Sequence, residues 1–217
     1  MAAKRSSVMM WTAWIIIVAV IVLDQVVKVW VKTHMYLGED ISILPWFHIC
    51  FVQNNGMAFG LEILNKFILT FLRIGLFGFL CWYIARLSRN AWVPMTYLAS
   101  IALIAAGAFG NIIDCVFYGE IFNNPMPPAV ASFVPFGQGY GELFHGLVVD
   151  MLYFPLFSFT WPDWIPWIGG RVFEFFNPVF NIADAAISVG LLIIVIFYYR
   201  LMEHSLEDEK PEKNSNN

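Results

Sequence analysis

Four stretches of the chain are apolar for long enough to cross a bilayer core, which takes about 20 residues. They cover roughly residues 9–31, 67–85, 92–113 and 183–201. Between the first and second, the pattern changes to alternation, Ile41-Ser-Ile-Leu and then Phe47-His-Ile-Cys-Phe-Val-Gln, before Asn54-Asn-Gly56. That period-2 stretch predicts a small sheet followed by a turn. Between the third and fourth stretches the chain is rich in Phe, Pro, Gly and Trp. Trp161, Trp164 and Trp167 recur every third residue, with Pro162 and Pro166 between them. Such a segment is expected at a membrane interface, where indole rings are favoured, rather than across the membrane. The expected fold class is therefore an all-α membrane protein, a four-transmembrane-helix bundle with a small external β element. Residues 1–203 form one membrane-embedded domain, and the polar residues 204–217 form a tail.

Composition agrees: 59% of residues are hydrophobic and 13% charged, a membrane balance rather than a soluble one. Lys and Arg set the orientation. Lys4 and Arg5 precede the first span, Arg86 and Arg89 lie between the second and third, and Arg200, Lys210 and Lys213 follow the fourth. Placing these on the cytoplasmic side puts both termini inside. It leaves two long external segments, about residues 32–66 and 114–182. The first span continues past Asp24 with no small-residue cleavage pattern after it, so it reads as a retained helix rather than a cleaved leader. Lys28 is expected near its outer end, snorkelling. The net charge of −4 partly reflects the acidic tail and gives no reason to expect a nucleic-acid partner. Cys50, Cys81 and Cys115 have no metal-ligand spacing; Cys81, in an apolar run, reads as a small buried hydrophobe. The histidines are scattered and no His-Glu-x-x-His is present, so no metal is expected.

The chemistry lies in acids at the edges of apolar runs. Asp114 closes Gly110-Asn-Ile-Ile-Asp114, Asp150 closes Gly146-Leu-Val-Val-Asp150, and Asp184 closes Phe180-Asn-Ile-Ala-Asp184. A carboxylate beside lipid costs about 2.5–3.5 kcal/mol on insertion scales, so such residues tend to be functional. All three fall on the outer side of this topology. Asp184 sits in the first turn of the last helix, where free N–H groups favour the ionised form. Asp150 sits among apolar neighbours, and burial there would keep it protonated. That contrast suggests a base (Asp184) and an acid (Asp150), able to exchange roles as a pair. The bland readings are a helix cap for Asp184 and a turn residue for Asp150, and a separation of 34 positions neither supports nor excludes contact. Asn111 and Asn181 each precede an acid by three positions, so they share its helix face; both also read as caps. Asn54 and Gly56 would bring an amide and backbone donors to a substrate carbonyl, or form a plain turn. Asp24 and Lys28, four apart, read as a structural ion pair. Arg73, inside the second span, is expected to snorkel or to pair with an acid.

In this order, Asp24-Gln-Val-Val-Lys28, Asn54-Asn-Gly-Met-Ala-Phe59, Gly110-Asn-Ile-Ile-Asp114, Val148-Val-Asp150 and Phe180-Asn-Ile-Ala-Asp184 resemble the motifs of signal peptidase II, the lipoprotein signal peptidase of bacterial inner membranes. The resemblance runs from the first helix to the last. It implies an aspartyl endopeptidase with four transmembrane helices that cuts the signal peptide from diacylglyceryl-modified prolipoproteins just before the lipidated cysteine. It implies Asp150 and Asp184 as the catalytic pair, and Asn54, Asn111, Asp114 and Asn181 as supporting groups. The expected partners are the lipidated substrate and membrane lipid, with a monomeric enzyme and no cofactor. The chain departs from the family in two ways. Cys115 stands where the family has Arg, a role Arg73 or Arg171 would have to take. The stretches around Asp150 are also longer than usual, an insertion over about residues 117–174 expected to extend the external platform or to contact lipid. The rival readings are a small proton-coupled transporter, with Asp24, Arg73 and Asp114 as a relay, and a non-enzymatic membrane scaffold. Acids clustered on one side favour the peptidase.

Overall fold

The computed structural model describes residues 2–54, 66–90 and 92–198. The first apolar stretch is helix α1 (Ala2–His34), the second α2 (Lys66–Leu87) and the third α3 (Met95–Ile113). Each lies in a helical run long and apolar enough to cross a membrane. The last helix, α5 (Ile182–Ile193), continues as a wider π-helical turn, Ile194–Tyr198. Its described part, Ile182–Tyr198, is apolar but shorter than the other three. Asn54 is the last described residue before Gly56, which lies outside the described residues, as does the tail 204–217.

Helix α3 does not end at Asp114, as the hydrophobic pattern predicts. It runs on through a π-helical turn, Asp114–Tyr118, and a short turn α4 (Gly119–Ile121). The chain can continue because Asp114 is not at a water boundary. Its carboxylate is fully buried and bonded within the protein, and wider turns of this kind recur inside helices at functional sites.

The helices pack through small residues. A Cβ on Gly107 of α3 would collide with the Ala183 carbonyl oxygen and lie 2.7 Å from Ile187. One on Gly190 of α5 would lie 2.6 Å from the Ser100 carbonyl oxygen. These glycines allow α3 and α5 to approach backbone to backbone, as small residues do between membrane helices. Along α1 and α3 the interior has the same order. An apolar cluster containing Met9, Ala13, Ile17, Leu98, Ile101 and Ala105 comes first. Buried polar residues Asp24, Lys28, Asn111 and Asp114 follow. A second apolar cluster, with Val31, Met35, Tyr118, Phe122, Val149 and Met151, closes the far end.

The alternating stretch forms a hairpin, β1 (Asp40–Leu44) and β2 (Phe47–Asn54), turning at Pro45-Trp46. A third strand, β3 (Val148–Tyr153), adds antiparallel to β2 with Val52 opposite Asp150 and Asn54 opposite Val148. Phe180 then binds back onto β3: its N–H donates to Leu152 O at 3.0 Å, and its carbonyl accepts from Leu152 N at 2.7 Å. A separate ribbon, β4 (Phe157–Thr160) and β5 (Val172–Phe175), lies between β3 and α5.

Gly107→Val puts branched carbons into the Ala183 carbonyl. Overpacking of this kind costs about 1–3 kcal/mol. Thermal unfolding of the purified protein in detergent should show a lowered midpoint, and an unchanged midpoint would mean that α3 and α5 are not in backbone contact.

Candidate active site

The site is built outward from Lys28. Its ammonium has three N–H donors, and the structure gives each an acceptor: Asp24 Oδ2 at 2.9 Å, Asp114 Oδ2 at 2.8 Å and Asn111 Oδ1 at 2.8 Å. Lys28 is fully buried, so the expected snorkelling does not occur. Snorkelling exchanges a dry site for water, and here the dry site already satisfies every donor. The Asp24–Lys28 pair expected from their spacing is present, but it is one edge of a larger cluster.

Each acceptor passes its position to another element. Asp24 Oδ1 accepts from Ala183 N at 2.9 Å, which fixes the start of α5 against α1. Asp114 Oδ2 also accepts from Val149 N at 3.3 Å, which fixes β3 one residue before Asp150. Gln25 Nε2 donates to Asp114 Oδ1 at 2.9 Å and to Gly110 O at 3.1 Å, while its Oε1 accepts from Tyr118 Oη at 3.0 Å. A Cβ on Gly110 would lie 2.8 Å from Asp24 Oδ2, so this glycine makes room for the carboxylate.

Two asparagines connect the cluster to Asp150 and Asp184. Asn181 is the N-cap of α5; its Oδ1 accepts from Asp184 N at 2.9 Å. Its Nδ2 donates to Asp150 Oδ1 at 2.7 Å and to Asn111 Oδ1 at 3.1 Å. Asn111 Nδ2 donates to Asp184 Oδ1 at 2.8 Å. Asn54, at the end of β2, donates from Nδ2 to Asp150 Oδ2 at 3.2 Å. The two carboxylates, 34 positions apart in sequence, are thus linked through Asn181 and Asn111 in turn, and Asn181 also holds the backbone N–H of Asp184. Neither is placed as the bland readings would have it: Asp150 is on a strand, and the cap of α5 is Asn181 rather than Asp184.

The two carboxyls differ in surroundings. Asp150 is 3% exposed, whereas Asp184 is half-buried in the first turn of α5. Burial, and then the negative charge of Asp184, push the Asp150 carboxyl up to about 7, against the opposing bonds from Asn54 and Asn181. Cys115, not the half-buried Cys81, is the fully buried thiol. Arg73 comes to it from α2, with Nη1 3.5 Å from Sγ; Arg171 is exposed at the end of the turn that leads into β5. Sequence reasoning missed Gln25, Tyr118 and Lys32. Lys32, one turn beyond Lys28, is fully buried beneath the rings of Phe51, Phe122 and Tyr140 at 5.1–5.8 Å. Polar residues within an otherwise apolar run were the available signal for Gln25 and Lys32. Among the described residues no group of three or more His, Cys, Asp or Glu could hold a metal ion.

Comparison with known proteins gives a consistent result. The family model described as signal peptidase (SPase) II matches residues 16–200. A lipoprotein signal peptidase of Porphyromonas gingivalis (strain ATCC 33277) is 46% identical over 195 residues, covering 90% of this chain and 86% of the relative. One from Amoebophilus asiaticus is 37% identical over 192 residues, 86% of this chain and 77% of the relative. Two solved structures, both described as a bacterial membrane enzyme determined by the in meso method, share the fold. One is 23% identical with a TM-score of 0.58 and covers 93% of each chain. The other is 26% identical with a TM-score of 0.57 and covers 85% of this chain and 90% of that one.

A carboxyl at about 7 in the native state and 3.8 in the unfolded chain leaves the native state holding a proton that the unfolded chain has lost between about pH 4 and 7. Stability therefore falls as pH rises through that window. Asp150→Asn removes the buried charge and should raise the unfolding midpoint more at pH 8 than at pH 5. Equal shifts at both pH values would show that Asp150 titrates as an ordinary carboxyl.

Proposed function

Because this chain belongs to the signal peptidase II family, an aspartic-type peptidase that removes signal peptides from prolipoproteins, we propose that Asp150 and Asp184 are its catalytic pair. The observation that supports this most directly is the shared amide of Asn181, which binds the Asp150 carboxylate and the backbone N–H of Asp184 at once. On this reading Asp150, whose carboxyl is pushed up by burial, starts as the acid, and Asp184, in the first turn of α5, starts as the base. Asp184 takes a proton from water as the oxygen attacks the scissile carbonyl carbon. Asp150 gives its proton to the carbonyl oxygen, forming a gem-diol. Asp184 then passes its proton to the leaving nitrogen, the C–N bond breaks, and Asp150 recovers a proton from one of the diol hydroxyls. Both carboxyls return to their starting state, so acid–base chemistry by one pair completes the cycle.

Asn54, Asn111 and Asn181 hold the carboxyls in these roles. Asp24, Lys28 and Asp114 sit behind them as positioning residues. The substrate on this reading is a diacylglyceryl-modified prolipoprotein cut before its lipidated cysteine, reaching the site sideways from the bilayer as a complex with a monomeric enzyme. Four helices span the inner membrane, α5 together with the residues that follow it being the fourth. Both termini are cytoplasmic, and the β1–β3 sheet and the acids lie at the outer face.

Reconstituted protein given a lipid-modified prolipoprotein should lose at least about a hundredfold in cleavage rate on Asp150→Asn or Asp184→Asn. Undiminished cleavage by either variant would end the proposal of a pair. Orientation is read separately: a phosphatase fused after the last residue should stay inactive and one inserted near residue 126 should be active. The reverse would invert the topology.

A further inference from the structure

The β4–β5 ribbon has no counterpart in the catalytic reading. Its register pairs Phe157 with Phe175, Ser158 with Glu174 and Phe159 with Phe173. Side chains alternate across a strand, so the four phenylalanines fall on one face and the polar residues on the other. The rings form a ladder: Phe157 and Phe175 stack at 4.8 Å, and Phe159 and Phe173 lie 5.1 Å apart. Every residue of both strands is nevertheless exposed. The connecting turn presents Trp164 and Trp167, 80% and 93% exposed. Trp167 also has a left-handed backbone, φ 66°, a conformation rare for residues other than glycine. A lone two-stranded ribbon is marginal in water, yet the four phenylalanines of this one remain 39–53% exposed, with Trp161 of the same ribbon against Phe159 at 4.8 Å.

What covers that face follows from where the ribbon is rooted. β4 begins four residues after β3 ends, and β5 ends seven residues before α5 begins. Its base is an aromatic stack, Phe47 on Phe154 at 4.9 Å, Phe154 on Phe180 at 5.7 Å and Phe176 against Phe180 at 5.9 Å, immediately before the N-terminus of an apolar membrane helix. On the reading above, in which α5 enters the membrane, the ribbon leaves the protein at the level where α5 meets the bilayer edge. There the environment suits a sheet that is aromatic on one side, polar on the other and tipped with indoles.

We propose that the β4–β5 ribbon is a membrane anchor, its aromatic face and the Trp164 and Trp167 indoles seated among phospholipid headgroups and upper acyl chains beside α5, and that it sets the depth of the Asp150–Asp184 site. The proposal rests on α5 entering the membrane, as in the reading above.

The test uses the full chain in vesicles of phosphatidylethanolamine and phosphatidylglycerol. The emission lost in the variant Trp164→Phe with Trp167→Phe reports these two indoles. Phospholipid brominated on its upper acyl chain should quench that difference emission at least about twofold more than aqueous iodide does. Quenching by iodide and not by bromolipid, or by neither, overturns the proposal: the first places the tip in water, the second against another protein or a second copy. For depth, Trp164→Asp with Trp167→Asp should slow prolipoprotein cleavage about fivefold or more in vesicles and leave it nearly unchanged in detergent micelles. Equal loss in both media, or loss in neither, removes the depth-setting role. Quenching has no activity readout, so its failure leaves the catalytic pair standing. Failure of the Asp150 and Asp184 substitutions leaves the anchor standing.

Discussion

The ammonium of Lys28 is the contact on which the rest depends. A lysine inside an apolar bundle carries a large desolvation cost, and its attraction to nearby acids offsets that cost only where geometry is good and every donor is used. Lys28 meets both conditions, with Asp24, Asn111 and Asp114 each within 2.9 Å. Because those acceptors each bind a further element, one cation fixes the start of α5, the position of β3 and the amide between the two acids. The nearby Lys32, held under aromatic rings, brings the buried group of Asp24, Asp114, Lys28 and Lys32 to formal neutrality. Removing one partner from such a cluster typically costs about 3–5 kcal/mol, so it is both a keystone and a vulnerability.

This arrangement explains how two like residues acquire different surroundings. Asp150 lies on a strand with apolar neighbours, and burial holds it near protonation. Asp184 lies in a helix's first turn, more open to solvent, with its carboxylate accepting from Asn111. The same asparagine that caps α5 binds Asp150, which ties the Asp150 carboxyl to the start of the helix that carries Asp184. The polar layer lies between two apolar clusters that exclude water from it.

Much of this was legible in the chain. Helices α1, α2 and α3 fall where the apolar runs predict, and the β1–β2 hairpin where the alternation does. The four-residue spacing of Asp24 and Lys28 announced their pair. The ribbon β4–β5 has the same period of two, in Phe-Ser-Phe-Thr and Val-Phe-Glu-Phe, but each strand is only four residues long and tryptophans and prolines separate them. Other features were not local. The continuation of α3 past Asp114 was hidden because an acid at the end of an apolar run reads as a boundary, and only partners from α1 and β3 make it an interior residue. Lys28 read as a snorkelling side chain for the same reason: its second and third acceptors lie more than 80 positions away.

The sequence by itself determined which segments are apolar enough for the membrane, which acids lie at their edges, and through its ordered motifs the family. Those properties are written in composition and short-range period, where each residue's transfer free energy and the helix or strand repeat act locally. The tertiary structure alone decided that Asp150 and Asp184 share one asparagine, that their surroundings differ, and that Lys28 is buried. Each of these depends on hydrogen bonds between elements distant in sequence, and on the exclusion of water once those elements pack.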